Sequence, residues 1–419
     1  GLEGVNAGIA LQAYLPDSYN ALTELTSWAR ARVDAGGGAV TVRIVKGANM
    51  EMECVEASIH GWPQAPYNQK LDTDANYKRM IEHALRPENI AAVKIGVASH
   101  NLFDISYALI LANERDVMAS VQFEMLEGMA NHQRRALSEY ASNMLLYAPA
   151  TYKHEFINAI GYLIRRLDEN TGDENFLRHA FKLEVDSDEW RQLEAGFVQS
   201  FEHMREVSSV PRRTQNRLAT LATDGKVVAY RDFENEPDTD FSLANNYRWA
   251  AELIADWQSK FGDNAVQIPL FVGSNEITDE RKERTCTDPS RPGVVVARYK
   301  QADIADIDRA LDIAASDPTG WRNMADEARA LTLAKAAQQL RIHRHDLMGA
   351  AMADAGKVLA ESDPEVSEAI DFVDYYAATA REFTGMDTVN CRPKGVVVVV
   401  PPWNFPIAIP CGGVAAALA

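Results

Sequence analysis

The chain has 419 residues, 47% of them apolar and 24% charged, and a net charge of −18. This length exceeds one ordinary domain and predicts two or three, while the composition excludes intrinsic disorder and collagen-like classes. The acidic field repels phosphate backbones, so we expect no nucleic acid to bind this segment. The four cysteines are widely spaced without a C-x-x-C pair. This spacing argues against a zinc site or a disulfide framework and favours a reducing, cytoplasmic compartment.

The first half alternates short β-rich runs with helical stretches. Strands are predicted at residues 9–14, 39–45, 91–98, 118–123 and 144–147, with helices between them at, for example, 18–33 and 76–85. Repeated βα units imply parallel strands and allow either a doubly wound sheet or a (βα)8 barrel. Polar residues follow the carboxyl ends of successive strands, where barrel enzymes place their chemistry, which favours the barrel. Five strands cannot close such a barrel, so we expect further strands upstream.

The second half has a different organisation. The βα alternation lapses from about residue 185, and the acidic stretch 232–240 is interpreted as an inter-domain connection. Beyond it we predict helices near 246–261, 304–315, 324–343 and 364–381, and a β-like stretch at 293–299. Residues 395–419 are long and apolar enough for a membrane span, but their prolines would break a spanning helix. We predict instead a buried strand at 396–400, a Pro-rich turn and the start of a helix at 413–416, and we expect both chain ends to be internal to a longer protein.

One helix concentrates cationic and aromatic side chains. At 100° per residue, Tyr162 lies angularly between Arg165 and Arg166, opposite an apolar stripe formed by Phe156, Ile160, Leu163 and Leu167. Two guanidinium groups that flank one ring suit a small carboxylate ligand, because planar forks supply charge-assisted hydrogen bonds. The alternative is a solvated polar face on which Arg165 pairs with Asp168 or Glu169.

Two strand ends carry further candidates. Arg43, Lys46 and Gly47 end one predicted strand, where a glycine lets the backbone approach a flat or phosphorylated ligand. Ordinary surface cations are the alternative. The sequence Ser99-His100-Asn101 closes the next strand, and a structural histidine is the alternative to a functional one, since no catalytic triad order or metal spacing accompanies it.

The turn between Pro402 and Pro406 presents an amide, Asn404, on a rigid segment. A side-chain amide at such a position can stabilise an oxyanion, a role that supplies about 3 kcal/mol. A purely structural turn is the alternative. Cys411 follows too closely to serve as the nucleophile and is interpreted as a packing residue, and no nucleophile or general base is identified.

Taken together, these motifs resemble the proline utilization A family, bifunctional bacterial flavoenzymes that join a proline dehydrogenase barrel to a glutamate-semialdehyde dehydrogenase. The resemblance rests on six stretches in the family's order: residues 12–14, 43–48, 99–101, 123–128, 147–149 and 162–166. It implies an α/β fold, a partial (βα)8 barrel of the proline dehydrogenase type followed by the amino-terminal part of an aldehyde dehydrogenase α/β domain. The implied domains are residues 1–185 for the later barrel strands and final helix, a helical and acidic linker at 186–244, and a truncated aldehyde dehydrogenase part at 245–419.

The resemblance also implies a set of site residues. FAD would be contacted by Gln12, Arg43, Lys46, Gly47, Ala48, His100 and Asn101, with Ser99, Lys70 and Phe176 as additions. Arg165 and Arg166 would clamp the carboxylate of L-proline beside Tyr162, with Tyr147 and Leu126 in the substrate wall. Arg43 would lie beside the flavin N5, which accepts hydride, and Asn404 would hold the oxyanion while glutamate semialdehyde is oxidised with NAD.

The implied parent protein converts L-proline to 1-pyrroline-5-carboxylate, passes electrons to a membrane quinone and then forms glutamate, with a cytoplasmic or peripheral inner-membrane location and with homo-oligomerisation left open. Two positions depart from some family members: Asn49 replaces a tyrosine and Glu124 replaces a glutamine. We expect this piece alone to be inactive, because early barrel strands and the aldehyde dehydrogenase nucleophile are not in it. The rival interpretations are a monofunctional proline dehydrogenase with a non-catalytic appended domain, a proline-responsive transcriptional regulator and a non-catalytic scaffold.

Overall fold

The structure is a computed structural model that describes residues 5, 7–169, 175–180, 183–278 and 280–419, without the side chains of 167–169. The chain divides into two compact units. The first comprises Gly1–Ser58 and Pro63–Arg213, and the second comprises Ile59–Trp62 and Thr214–Ala419.

The first unit is built on a parallel sheet of five strands in the order β1-β2-β3-β4-β5. The strands are β1 (Gly8–Gln12), β2 (Val40–Val45), β3 (Val93–Ala98), β4 (Val121–Leu126) and β5 (Met144–Tyr147). The strand order runs without the reversal that marks a doubly wound sheet, so the predicted barrel-type winding is confirmed. Each new strand joins beside the previous one, and β1 and β5 form the two edges of this described sheet.

Nine helices are described in the first unit. They are α1 (Ser18–Asp34), α2 (Met50–His60), α3 (Lys70–Ala84), α4 (Pro87–Ile90), α5 (Leu102–Glu114), α6 (Asn131–Leu137), α7 (Phe156–Glu169), α8 (Phe176–Ala180) and α9 (Asp188–His203). Side chains of α1, α3 and α5 pack with one face of the sheet into a single core that includes Leu22, Met80 and Ala108. Strand residues with even and odd numbers face opposite sides, so Val40, Val42 and Ile44 of β2 enter this core, whereas Thr41, Arg43 and Val45 do not.

The fourth strand was predicted three residues too early. The strand expected at 118–123 begins at Val121 and runs to Leu126, because Met118–Ser120 forms a short 3-10 turn and Val121 is the first residue that pairs with β3. This shift brings Glu124 and Leu126 into the strand itself.

The second unit combines helices with short strands. Its elements are α10 (Ala244–Ser259), β6 (Val266–Ile268), β7 (Phe271–Val272), β8 (Asn275–Glu276), β9 (Glu283–Thr287), β10 (Val295–Lys300), α11 (Ile304–Ser316), α12 (Asp326–Ile342), α13 (Arg344–Ala355), α14 (Leu359–Thr384) and α15 (Ala408–Leu418). The predicted helices and the strand near 293–299 are confirmed, with α13 as an additional element. None of the described helices is long and apolar enough to cross a lipid bilayer.

The acidic stretch 232–240 is an integral part of the second unit. Glu236 accepts hydrogen bonds from Arg341 Nε at 2.8 Å and from Arg344 Nη2 at 3.1 Å, and Thr239 Oγ1 donates to Asp363 at 2.6 Å. Paired buried charges of this kind hold a segment in place. The stretch therefore packs within the second unit, whereas its composition suggested a connection between domains.

The predicted strand at 396–400 is wrong in this structure. Residues 396–400 have no strand neighbour, and Val398 and Val400 are 74% and 85% exposed. The five-valine run favours a strand by propensity, but a strand requires a partner for its backbone groups. The helix that follows begins at Ala408, five residues earlier than predicted, because Glu365 accepts hydrogen bonds from the backbone N–H groups of Ile407 and Ala408.

Candidate active site at the strand ends

The face of the sheet opposite the core collects several predicted site residues. Register pairs Ala10 with Arg43, Arg43 with Gly96, and Leu126 with Tyr147. Because side chains alternate along each strand, this face also carries Gln12 of β1 and Glu124 of β4. Four residues predicted from the sequence therefore share one face: Gln12, Arg43, Leu126 and Tyr147.

Arg43 is held on this face by two contacts. Its Nε donates a hydrogen bond to Glu124 Oε2, and its guanidinium carbon lies 4.3 Å from the centre of the Tyr147 ring. Glu124 is only 4% exposed. Among the described residues, no protein acceptor takes a hydrogen bond from the two terminal nitrogens of Arg43. These nitrogens can donate to a ligand.

Gly96 makes the pairing of Arg43 with Glu124 possible. β3 lies between β2 and β4, so the two side chains must meet above Gly96. A Cβ atom at Gly96 would overlap Glu124 Oε1 and would lie 3.5 Å from the Cα of Arg43. Only glycine leaves this space open.

Lys46 faces the other side of the sheet. Its Nζ lies 2.6 Å from Asp74 Oδ1 of α3 and 2.6 Å from Asp104 Oδ2 of α5. Burial disfavours the charged ammonium, but the carboxylates of Asp104 and Asp74 outweigh burial and raise the pKa of Lys46. The sequence placed Lys46 with Arg43, yet a separation of three residues along a strand directs their side chains to opposite faces.

Gly47 and Ala48 form the turn between β2 and α2. Gly47 has a φ of +130°, and a Cβ atom there would overlap the ring of Tyr14. Tyr14 N–H donates to the carbonyl of Lys46 at 2.7 Å, which extends the pairing of the first two strands past their ends. Packing against Tyr14 is thus one reason for the glycine that the sequence assigned to a ligand. Ala48 is half-buried in the same turn.

The three residues after β3 have separate tasks. Asn101 Oδ1 accepts from Phe103 N–H at 3.0 Å and caps α5, and Ser99 Oγ accepts from Asn101 N–H at 3.1 Å. His100 Nε2 accepts from Leu126 N–H at 3.0 Å, so in the neutral ring Nδ1 carries the proton. Burial lowers the pKa of His100, and the charge of Arg166 lowers it further.

Two predicted residues lie away from this face. Lys70 is exposed at the start of α3, where its Nζ pairs with Asp74. Phe176 is buried and meets Phe103 edge to face, with ring centres 6.4 Å apart, in an aromatic cluster between α5, α8 and α9. An ion pair within one helix accounts for Lys70, and tertiary packing accounts for Phe176.

The arginine helix α7 has the predicted local geometry. The guanidinium carbons of Arg165 and Arg166 lie 5.8 Å and 5.1 Å from the centre of the Tyr162 ring. Arg165 Nη1 reaches Met52 Sδ of α2 at 3.9 Å, while Arg166 acts electrostatically on His100. Both arginines are half-buried. Arg165 contacts the first turn of α2, the helix that follows β2, and Arg166 acts on His100, which follows β3.

The apolar side of α7 differs from the expectation of a buried stripe. The apolar stripe remains exposed, with Phe156 at 59% and Ile160 at 43%. Leu167 of that stripe and the alternative partners of Arg165, the side chains of Asp168 and Glu169, lie outside the described residues.

The turn with Asn404 is anchored within the second unit. Phe405 lies under Lys357 Nζ at 4.5 Å, and Lys357 donates to Glu365 at 2.6 Å. Asn404 itself is exposed. Burial raises the pKa of Cys411 to about 11, which keeps the thiol protonated and agrees with a packing role.

From the sequence, Glu124 was placed among the polar residues at the strand ends and noted as a departure from a family pattern, but its contact with Arg43 was not predicted. Gly96, Asp74 and Asp104 were not identified. A detectable signal existed for Glu124 and Gly96. Arg43, Gly96 and Glu124 each have one apolar strand neighbour on either side. Alternation alone therefore places them on the face of the sheet opposite the helix-covered core, which we call the uncovered face. Asp74 and Asp104 lie on helices, and no local pattern links them to Lys46.

The two units match two different enzyme families. Residues 1–179 match the family Proline dehydrogenase, and residues 277–419 match the Aldehyde dehydrogenase family. The chain therefore carries a proline dehydrogenase segment followed by an aldehyde dehydrogenase segment.

Several bifunctional or proline utilization proteins are similar to this chain over nearly its whole length. Bifunctional protein PutA of Salmonella typhimurium is 27% identical across 98% of this chain and 30% of the relative. Proline utilization A structures from Corynebacterium freiburgense and Bdellovibrio bacteriovorus are 34% and 28% identical, with TM-scores of 0.70 and 0.77, and each covers 99% of this chain.

The chain spans 35% and 41% of the lengths of those two structures. A 1-pyrroline-5-carboxylate dehydrogenase of Bacillus mycoides is 33% identical over 202 residues, which are 46% of this chain and 38% of that protein. Proline catabolism is the context that these relatives share.

Proposed function

We propose that the first unit supplies one side of a FAD-dependent proline dehydrogenase site, which oxidises L-proline to 1-pyrroline-5-carboxylate. The observation that carries the proposal is the position of Arg165 and Arg166, which flank Tyr162 and reach α2 after β2 and His100 after β3. Paired guanidinium groups bind a carboxylate through charge-assisted hydrogen bonds.

The surrounding side chains fit the rest of a proline molecule. Leu126 and Tyr147 are opposite each other at the ends of β4 and β5 and offer an apolar wall to the pyrrolidine ring. The aromatic ring of Tyr162, held between two cations, covers the ligand beside its acid group. Because His100 is neutral, it does not add a third positive charge beside Arg165 and Arg166.

The donor set on the uncovered face fits a flavin. Arg43 presents terminal nitrogens, Gln12 presents an amide on the neighbouring strand, and His100 presents Nδ1–H, all suited to acceptor atoms of an isoalloxazine or its ribityl chain. Bound FAD would take a hydride from the ring carbon next to the proline nitrogen and hold both electrons until an acceptor such as a membrane quinone removes them. The protein contributes binding and orientation.

We propose that the second unit belongs to an NAD-dependent dehydrogenase that oxidises glutamate semialdehyde to glutamate. The similarity to a 1-pyrroline-5-carboxylate dehydrogenase supports this assignment over a non-catalytic appended domain. Asn404, exposed on a turn that Glu365 and Lys357 anchor, is the proposed oxyanion donor. The proposed setting is cytoplasmic, with the quinone reached at the membrane surface and with assembly into a homo-oligomer open to measurement.

The clamp provides the test. In the intact full-length protein with FAD bound, proline binding is followed by the change in flavin absorbance or by proline-dependent dye reduction. We expect Arg165→Ala and Arg166→Ala each to weaken proline binding about tenfold to a hundredfold, since each loses a charge-assisted contact of roughly 1.5 to 3 kcal/mol. The matched control is Arg135→Ala, an exposed arginine of α6. Unchanged proline affinity in both clamp variants would contradict the proposal.

A further inference from the structure

Glu124 is a buried carboxylate that proline oxidation, as proposed above, does not require. It lies in the middle of β4, meets Arg43 above the missing side chain of Gly96, and is nearly inaccessible to solvent. Burial of a charge is costly unless a partner compensates for it. The geometry therefore indicates a specific task for Glu124 toward Arg43.

We propose that Glu124 is a positioning residue that fixes the Arg43 guanidinium and offsets its positive charge at the flavin. This inference rests on the proposed function. The hydrogen bond at Nε sets the rotation of the guanidinium in its own plane, and the Tyr147 ring beneath it sets the tilt. Together the two contacts direct the terminal nitrogens toward the space above the strand ends.

The charge has a second consequence. An uncompensated guanidinium beside a flavin stabilises the reduced, negatively charged form more than the neutral oxidised form. A carboxylate hydrogen-bonded to that guanidinium attenuates the effect. Glu124 thus keeps the reduction potential of the flavin lower than Arg43 alone would set it, which favours passage of the electrons to an acceptor.

The test separates charge from position. Glu124→Gln keeps an oxygen that can accept the Arg43 Nε–H but removes the charge, so reduced flavin should bind about tenfold more tightly relative to oxidised flavin, a rise of about 30 mV in the two-electron midpoint potential. Glu124→Asp keeps the charge but withdraws the carboxylate, so the potential should stay near that of the parent while kcat falls. Glu114→Gln, an exposed glutamate at the end of α5, is the control for net charge.

A second measurement does not need the flavin. A double-mutant cycle of Arg43→Gln and Glu124→Ala in the apo protein, followed by denaturant unfolding, should show coupling of about tenfold in the unfolding equilibrium constant, because alanine removes both the charge and the acceptor. If Glu124→Ala does not fold, the same cycle is run with Glu124→Leu.

The outcomes are distinct. A midpoint potential in Glu124→Gln equal to that of the control, or an absent coupling in the cycle, overturns the role of Glu124 while leaving proline oxidation intact. If the intact full-length protein without substitutions binds no flavin, the proposed function fails, and the cycle still decides whether Glu124 fixes Arg43.

Discussion

The cations on the two faces of the five-stranded sheet differ in how many carboxylates they contact. On the face covered by helices, Lys46 meets two carboxylates, and one of them, Asp104, also lies 3.2 Å from the buried ammonium of Lys78. On the uncovered face, Arg43 meets one carboxylate and keeps its terminal nitrogens for other acceptors. Both cations leave the same end of β2, three residues apart.

This difference shows how one short motif can serve structure and function at once. A cation enclosed by two carboxylates is saturated and stabilises the packing of helices on strands. A guanidinium bound at Nε alone is oriented but still able to donate. We therefore assign Lys46 to the support of the strand end and Arg43 to the site, and three predictions probe this contrast.

The largest effect is expected from Asp104→Asn on the covered face. Asp104 is 1% exposed and serves both Lys46 and Lys78, so loss of its charge leaves two ammonium groups with less compensation. Removal of one partner from a buried ion pair costs 3–5 kcal/mol, and we expect a loss of about 3 kcal/mol in the free energy of unfolding. Urea denaturation measures it.

The control for that variant is Asp34→Asn, which makes the same change at the exposed end of α1. It should alter the free energy of unfolding by less than about 0.5 kcal/mol. Equal stability of the two variants would show that the carboxylates of the covered face do not enclose Lys46 tightly, and the contrast between the faces would disappear.

The next effect is expected from Gly96→Ala on the uncovered face. The new methyl group would overlap Glu124 Oε1, so the carboxylate must move and its hydrogen bond with Arg43 must break or stretch. Overpacking of a filled site costs 1–3 kcal/mol, and we expect a loss of about 2 kcal/mol, with flavin binding weakened as well. Thermal or denaturant unfolding measures the stability.

Gly196→Ala in α9 is the matched glycine control. No atom lies within 4 Å of the position of its added Cβ, and alanine is a better helix former than glycine. This variant should be more stable than the parent by about 0.5–1 kcal/mol. A Gly96→Ala protein that gains stability in the same way would mean that Glu124 does not occupy the space above β3.

The winding of the first unit followed from local patterns. Alternating βα runs predicted all five strands of the sheet, and polar residues at successive carboxyl ends favoured the barrel order that the structure has. The prediction of a strand at 396–400 was wrong because propensity describes a residue's preference for strand geometry and does not show whether a neighbouring strand is present. The interpretation of residues 232–240 was incomplete for a related reason. An acidic composition indicates exposure to solvent, but Arg341 and Arg344, which lie elsewhere in the chain, pair with the negative charge of Glu236 in this stretch.

The site was predictable where its residues share a strand face or a helix face. Tyr162 with Arg165 and Arg166 follows from helical periodicity, and the structure brings both guanidinium groups to the ring. The position of Lys46 on the face opposite to Arg43 follows from strand parity, which was not applied at the strand end. Phe176 depends on contacts between three helices, which no spacing in the sequence encodes.

The smallest expected effect concerns pH and His100. Burial lowers the pKa of His100 in the folded protein, with Arg166 as a second cause, whereas an unfolded histidine titrates near about 6.5. As pH falls below that value the unfolded chain binds the proton first, so His100 reduces stability in acid, by at most about 1.4 kcal/mol per pH unit, and has no such effect well above pH 7. His100→Gln keeps an acceptor for Leu126 N–H and should gain stability relative to the parent between about pH 7 and 5. The control is His132→Gln, which makes the same change at an exposed position of α6. If the stability difference between His100→Gln and the unsubstituted protein does not vary with pH, the folded structure does not lower the pKa of His100.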